Sequence, residues 1–214
     1  EGLDTAKVKN MYRHILPQLS KDNHKFQITK LSHGARSRDY IGCDEWLNDA
    51  GIINISYNLS ELKYPFKIYE KQNDFRIYFQ DHGLFIAFLD EEDRKDISIN
   101  YNYGIYNGAL FESLISESLA KQGYNLYHYK NDDSTIELDF VIRSKNEIIP
   151  IEVKAKKGRT KSLNTIINDK NIDVKHGVVF SISNIGFDGD KITFPHFTSF
   201  LLKKYLENTD ITRW

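Results

Sequence analysis

Cysteine is almost absent from this chain, and methionine and proline are scarce. The 214 residues include one cysteine, one methionine and four prolines. The single cysteine, Cys43, excludes an internal disulfide and fits a reducing compartment, so a cytoplasmic location is expected. No apolar run approaches the roughly 20 residues that span a bilayer, and no charged-then-apolar leader opens the chain. The sequence therefore predicts no association with a membrane.

The chain also carries almost no net charge. Lysine and arginine together number 29 against 30 acidic residues, which gives a formal net charge of −1. Global electrostatics therefore indicates no partner, and any contact with nucleic acid must come from a local basic patch. Aromatic residues, by contrast, are plentiful. The 13 Phe and 13 Tyr are enough for the cores of one large domain or two small ones.

The sequence pattern changes near residue 95, which divides the chain into two predicted parts. Residues 1–95 show helical spacing of apolar residues up to Leu19 and again over about 37–50. Extended segments are predicted at Ile52–Leu59, Phe66–Glu70 and Phe75–Phe79. Short helices that lead into a β-hairpin are typical of a winged-helix domain, so a small winged-helix-like α+β domain is expected. The charged run Asp90–Asp96 is interpreted as a solvated linker or loop.

Residues 96–214 show helices that alternate with strands. Helices are predicted over Ala109–Gln122, near Ser162–Asn168 and over Phe197–Leu206. Strands are predicted near Tyr124–Tyr129, Ile136–Arg143, Ile148–Ala155, Gly177–Ile182 and Ile192–Phe194. This order predicts an α/β domain in which helices flank a mixed sheet.

Two of these strands form a predicted hairpin that contains acids among apolar residues. If residues 144–147 close an antiparallel pair with Arg143 opposite Ile148, Asp139 lies across from Glu152. Carboxylates in directly opposite positions repel each other. With the ammonium group of Lys154 nearby, two of them are typical of a site for a divalent cation.

The alternation of side chains along a strand also predicts which residues share a face. Glu137 is interpreted as a structural partner of Lys154 or Arg143 rather than as a metal ligand. One face of the first strand is predicted to carry Glu137, Asp139, Val141 and Arg143, and the other Ile136, Leu138, Phe140 and Ile142.

Six motifs spread along the chain carry a resemblance to a known family. They are Gly34–Arg36, Trp46–Gly51, Tyr78–Leu84, Gly108–Glu112, Glu137–Val141 and Pro150–Lys154. In this order they resemble the uncharacterised C-terminal region that follows the ATPase domain in many bacterial and archaeal AAA-type ATPases. The last three motifs also resemble the PD-(D/E)XK motif of the restriction-endonuclease-like superfamily. The resemblance implies a winged-helix-like domain over residues 1–95 and a restriction-endonuclease-like domain over 96–214.

The resemblance also implies a partner outside the chain. A Gly-x-x-x-x-Gly-Lys-Ser/Thr phosphate loop is missing from the sequence, so no ATP site is expected in this chain. The N-terminal ATPase domain of the same protein is the expected partner. The chain opens on Glu1, and Met11 lies inside a helical pattern that a start there would interrupt, so the natural protein is expected to extend upstream.

The resemblance assigns a role to each residue of the predicted site. Asp139, Glu152 and the Val153 carbonyl would hold Mg²⁺ or Mn²⁺, which are hard cations satisfied by oxygen ligands. Glu112 would add a ligand or fix a metal-bound water. Lys154 would orient or help to deprotonate the attacking water, or would stabilise charge on the phosphate. The expected activity is metal-dependent cleavage of phosphodiester bonds in DNA.

A basic loop after these residues extends the predicted site. Lys156, Lys157, Arg159 and Lys161 would contact backbone phosphates of DNA without reading its sequence, and the alternative is a loop that is simply solvated.

Two functions remain open from the sequence. One is a nuclease-like effector of the ATPase. The other is a non-catalytic module that binds nucleic acid or protein and regulates the ATPase.

Overall fold

The computed structural model describes residues 4–21, 24–99 and 104–208. The α-helices are α1 (Thr5–Arg13), α2 (Ile15–Leu19), α3 (Cys43–Asp49), α4 (His82–Phe88), α5 (Glu91–Ile99), α6 (Asn107–Lys121), α7 (Lys161–Asn168) and α8 (Leu202–Asn208). The strands are β1 (Ile53–Leu59), β2 (Glu70–Phe79), β3 (Leu126–Lys130), β4 (Glu137–Ser144), β5 (Glu147–Val153), β6 (Gly177–Ser181), β7 (Gly186–Asp188) and β8 (Lys191–Pro195). No helix in these ranges is both long and apolar enough to cross a membrane.

The strands of the described residues form one eight-stranded sheet in the order β2-β1-β3-β4-β5-β6-β8-β7. The pairs β1–β3, β5–β6 and β6–β8 are parallel, and the other neighbours are antiparallel. The predicted α/β class, with helices flanking a mixed sheet, is confirmed. Strands β1 and β2 come from residues 1–95, and pairing of Ser56 with Leu126 joins them to the strands of the second part.

Two hydrophobic cores lie on opposite faces of this sheet. Consecutive residues of β5 show the separation, because Ile149 belongs to the larger core and Ile148 to the smaller. Helices α6 and α8 pack against the larger core through Ile115 and Leu202. Helix α7 packs against the smaller core through Leu163. The end of β5 therefore lies between α6 on one face and α7 on the other.

The hairpin of β4 and β5 has the predicted register. Arg143 lies opposite Ile148, and Phe140 lies opposite Ile151. A tight turn at residues 145–146 joins the strands, with Lys145 in the left-handed region at a φ of 53°. The prediction rests on the position of the loop, and the loop is shorter than expected because Ser144 pairs with Glu147. The pairing also agrees with the hydrophobic alternation, because a slip of one residue would turn the apolar side chains to the wrong face.

The predicted faces of β4, in contrast, are wrong at one point. Leu138 lies in the smaller core and Phe140 in the larger, although strict alternation placed both on one face. The reason is a bulge, which leaves β4 with one residue more than β3. The pairs on either side of it are Tyr127 with Val141 and Tyr129 with Leu138. Since a bulge redirects the side chains at its centre, Asp139 does not follow the simple alternation.

Two other segments differ from the predictions. The expected strand Phe66–Glu70 is a 3₁₀ helix up to Tyr69, directly after Pro65. The fixed φ of proline suits the start of a helix. The charged run expected to be a loop forms α5, in which Lys95 pairs with Glu91 one turn earlier. Acidic residues in the first turn also interact favourably with the helix dipole.

Candidate active site

Asp139 lies at the bulge of β4, beside the end of β5. Its Oδ2 atom accepts a 2.7 Å hydrogen bond from the N–H of Val153. Burial raises the pKa of Asp139 to about 7, and the negative charge of Glu112 adds to this effect. The positive charges of Arg76 and Lys154 oppose it. Asp139 is therefore a carboxyl group whose ionisation is disfavoured by the charge of Glu112, and it loses its proton near neutral pH.

Glu152, on β5, makes its contacts on the α7 side of the sheet. The residue is 2% exposed, and its Oε1 atom accepts a 3.1 Å hydrogen bond from the N–H of Leu163 in the first turn of α7. A negative charge at this end of a helix is stabilising. Its Oε2 atom is buried and accepts no well-aligned hydrogen bond, although Lys154 Nζ lies 3.2 Å away. One Glu152 oxygen therefore stabilises the fold, and the other interacts with the Lys154 amine as an ion pair.

Lys154 interacts with all three predicted acids. Burial alone would lower the pKa of Lys154. The charges of Asp139, Glu152 and Glu112 raise it above its usual value instead. The amine therefore stays protonated near neutral pH, which favours stabilisation of negative charge over proton abstraction.

Glu112, on α6, is held by side chains from the first part of the chain. Its Oε2 atom accepts a 3.0 Å hydrogen bond from the Tyr78 hydroxyl and lies 2.9 Å from His24 Nδ1. Arg76 Nη1 is 3.7 Å from the same oxygen. Burial alone would raise the pKa of Glu112, but His24 and Arg76 bring it below its usual value. Glu112 is therefore a buried carboxylate that keeps its charge.

Arg76, on β2, connects Glu112 to a second acid on β4. The Arg76 side chain is 2% exposed, and its Nη2 atom contacts Glu137. Lys130 Nζ pairs with the other Glu137 oxygen at 2.9 Å. The two acids and two cations thus form a continuous charged network that includes Glu112 of the candidate site, and nearby charges of opposite sign offset the cost of burying Arg76.

The prediction that Glu137 pairs with Lys154 or Arg143 is wrong. Arg76 reaches Glu137 from β2, which is not adjacent to β4 in the sheet, so pairing between neighbouring strands could not predict the contact. Arg143 is exposed, and its guanidinium group lies 4.1 Å from the centre of the Tyr64 ring.

Sequence reasoning missed Arg76, Tyr78 and His24. For Arg76 the sequence did contain a signal, because Arg76 is a charged residue inside the apolar run 75–79, just as Asp139 is a charged residue inside an apolar strand of the hairpin. His24 precedes the first strand in an irregular segment, where no periodicity indicates burial.

The acids at this site carry oxygen donors, the ligand type that Mg²⁺ prefers. Within the described residues, no three His, Cys, Asp or Glu side chains are grouped as a preformed metal site. Mg²⁺ usually keeps several waters and takes only one or two carboxylates. The crowded Asp139 carboxyl and the buried Oε2 atom of Glu152 are donors of this kind. The ligand roles of these residues, of Glu112 and of the Val153 carbonyl stay predictions.

The basic loop is exposed in the structure. Lys156, Lys157 and Arg159 lie between β5 and α7, and Lys161 is the first residue of α7. Of these four side chains, that of Lys157 lines a cleft together with Lys154. Contact of the loop with DNA stays a prediction.

Substitution of Glu152 by glutamine tests its role at the start of α7. The amide keeps an acceptor for the Leu163 N–H but removes the charge that favours the helix dipole and the Lys154 ion pair. We expect a loss of about 0.5–2 kcal/mol in the free energy of unfolding, measured with urea without divalent ions. Glu61→Gln, which alters an exposed ion pair with Lys63, should change stability by less than about 0.5 kcal/mol. Equal stability of Glu152→Gln and the unmodified chain would contradict a structural role for this charge.

Comparisons with known proteins assign two family models to the chain. Residues 107–197 match a domain of unknown function (DUF4143), which is often found in AAA-ATPase-associated proteins. Residues 1–95 match a second domain of unknown function (DUF8612). No curated protein matches the chain. Among solved structures, protein VC1899 from Vibrio cholerae matches with 14% identity and a TM-score of 0.29, over 97% of this chain and 57% of that one. The chain thus spans little more than half the length of that protein.

Proposed function

We propose that this chain is the nuclease-like part of an AAA-type ATPase and hydrolyses phosphodiester bonds in DNA with Mg²⁺ or Mn²⁺. In this proposal residues 96–214 are a restriction-endonuclease-like domain, and residues 1–95 are a winged-helix-like domain. The observation that carries the proposal is the arrangement at the end of β5. There Lys154 interacts with Asp139, Glu152 and Glu112, and these residue types agree with the three acids and the lysine expected of a PD-(D/E)XK site.

In this proposal each group of the site has a different role in the reaction. Asp139, Glu152, Glu112 and the Val153 carbonyl would hold the metal ion, which would polarise the phosphodiester and supply hydroxide near neutral pH. The Val153 N–H orients the Asp139 carboxyl. The protonated Lys154 amine would stabilise the negative charge that develops on the phosphate.

A second function is favoured by a specific observation. The Glu152 carboxylate already accepts a hydrogen bond from Leu163 and pairs with Lys154, and the described residues contain no group of three potential ligands. These contacts suit a non-catalytic module that retains the fold, binds nucleic acid or protein, and regulates the ATPase.

Cleavage assays separate the two functions. Plasmid and single-stranded DNA are incubated with the chain and Mg²⁺ or Mn²⁺, and products are followed on gels. We expect metal-dependent cleavage that Asp139→Ala and Lys154→Ala each slow by about 100-fold or more, because the first removes a proposed metal ligand and the second removes the positive charge beside the reacting phosphate. Lys204→Ala, at an exposed position on α8, should cleave normally. Absence of metal-dependent cleavage, or cleavage that survives both site substitutions, would leave the binding-module function.

A further inference from the structure

A cleft of about 260 Å³ lies beside the candidate active site. The loop after β5 forms one wall, and strands β6 and β8 form the other. Lys154 lines the cleft, so the cleft is continuous with the acidic site. Lys157 and Lys191 also line it, together with hydroxyl side chains that include Ser181 and Thr193.

The charge of this cleft differs from that of the whole chain. Three lysines line the cleft, and among the described residues one acid, Asp188, lines it with them. The Asp188 side chain is 85% exposed and pairs with Lys191 at 3.0 Å. The Lys191 side chain is only 17% exposed, but the Asp188 carboxylate is well solvated once it separates from the lysine, so a phosphate can replace it as the partner of Lys191.

The hydroxyl groups add donors suited to phosphate oxygens. The Ser181 hydroxyl oxygen accepts a hydrogen bond of 3.1 Å from the Ser183 N–H. Its own proton is therefore available to another acceptor. Ser181 and Thr193 belong to the neighbouring strands β6 and β8, so the sheet holds both side chains in place.

The size and lining of the cleft favour a backbone phosphate over a whole nucleotide. Sites that enclose small molecules usually have volumes of about 300–1,000 Å³, and this cleft is smaller. None of the described residues that line it is aromatic, so it offers no ring on which a base could stack. Recognition there would depend on the phosphate and would not read the base.

We propose that this cleft binds the DNA backbone next to the scissile phosphate, with Lys157 and Lys191 on either side of a neighbouring phosphate and Ser181 and Thr193 as hydroxyl donors. The inference rests on the proposed nuclease function and adds a substrate property to it. The site takes the backbone of duplex DNA without sequence preference. Lys191, more than 30 residues from the hairpin in sequence, becomes a substrate-binding residue.

Binding of a short fluorescent DNA duplex to the full chain tests this inference. Fluorescence anisotropy is measured over a salt series with EDTA, which prevents cleavage. We expect Lys191→Gln to weaken binding by about threefold or more at low salt and to reduce the slope of log Kd against log salt by about 0.9, the value of one lost phosphate contact. Lys175→Gln is the matched control, because Lys175 also pairs with a nearby aspartate but lies before β6, at the opposite end of that strand from Ser181. Binding by this variant should be unchanged.

The outcomes separate this inference from the proposed function. If Lys191→Gln binds with the affinity and salt slope of the unmodified chain, or if the unmodified chain does not bind the duplex, the inference is overturned. A clear preference between AT-rich and GC-rich duplexes would also overturn it. If the chain cleaves DNA, Lys191→Gln should raise KM and leave kcat unchanged. If the chain binds DNA through Lys191 but Asp139→Ala has no effect on cleavage, the result supports the binding cleft and contradicts the proposed nuclease function.

Discussion

Substitution of Asp139 by asparagine is expected to stabilise the metal-free protein at pH 8. Burial and the charge of Glu112 raise the pKa of Asp139 to about 7 in the folded chain, against about 3.9 in an unfolded chain. Asparagine has no charge to bury and keeps an acceptor for the Val153 N–H. We compare the free energy of unfolding of Asp139→Asn with that of the unmodified chain. The difference should be about 2–3 kcal/mol larger at pH 8 than at pH 4.5, a value reduced to allow for the partial exposure of the Asp139 side chain.

The sign of this pH dependence follows from proton binding. Between pH 4 and 7 the folded chain binds the Asp139 proton and the unfolded chain has released it. The stability of the unmodified chain therefore falls as the pH rises through about 7, and that of Asp139→Asn lacks this fall. Urea unfolding at the two pH values in EDTA gives the comparison. Asp173→Asn is the control, because its side chain is 84% exposed. A gain of the same size at both pH values would show that Asp139 is ionised without penalty.

Divalent cations should reduce this difference in stability if the site binds them. A cation that binds only the folded chain adds about 2.7 kcal/mol at a concentration 100 times its dissociation constant. We expect Mg²⁺ or Mn²⁺ to stabilise the unmodified chain at pH 8 and to have little effect on Asp139→Asn. Equal effects of the cation on both proteins would place any bound ion elsewhere. This readout does not depend on cleavage.

Substitution of Arg76 by methionine is expected to be the most destabilising change in the charged network. Arg76 is 2% exposed and contacts both Glu112 and Glu137. Methionine fills much of the same space without a charge, so the two acids lose a common partner. Removal of one member of a buried pair typically costs about 3–5 kcal/mol, which urea unfolding near pH 7 would measure.

Two further variants show whether charge or packing causes that loss. Arg143→Met makes the same change at an exposed strand position and should cost about 1 kcal/mol or less. Addition of Glu112→Gln to Arg76→Met removes one of the unpaired charges and should restore part of the lost stability. If the double variant is no more stable than Arg76→Met, the loss comes from packing and the charge network is not its cause.

The local parts of the structure could be predicted from the sequence. The position of the loop between the two apolar strands predicted the register of the β4–β5 hairpin, and the sequence pattern indicated α6 and α7. The acids of the candidate site were found because Asp139 and Glu152 interrupt apolar strands. Each of these inferences depends on residues that are close in sequence, where strand and helix geometry leave few alternatives.

Contacts between distant parts of the chain were decided by the tertiary structure alone. Arg76 reaches Glu112 because α6 packs against β2, and it reaches Glu137 across the two strands between β2 and β4. His24 also reaches Glu112, and no periodicity in the sequence encodes any of these contacts. The same holds for the Glu152 contact with α7 and for the cleft that joins Lys154 to Lys191. The bulge at Asp139 lies in the pairing of β4 with β3, so it becomes visible only when these two strands are together. The sequence by itself thus determined which acids and which lysine are candidates for the site, and long-range packing decided which of their charges face each other.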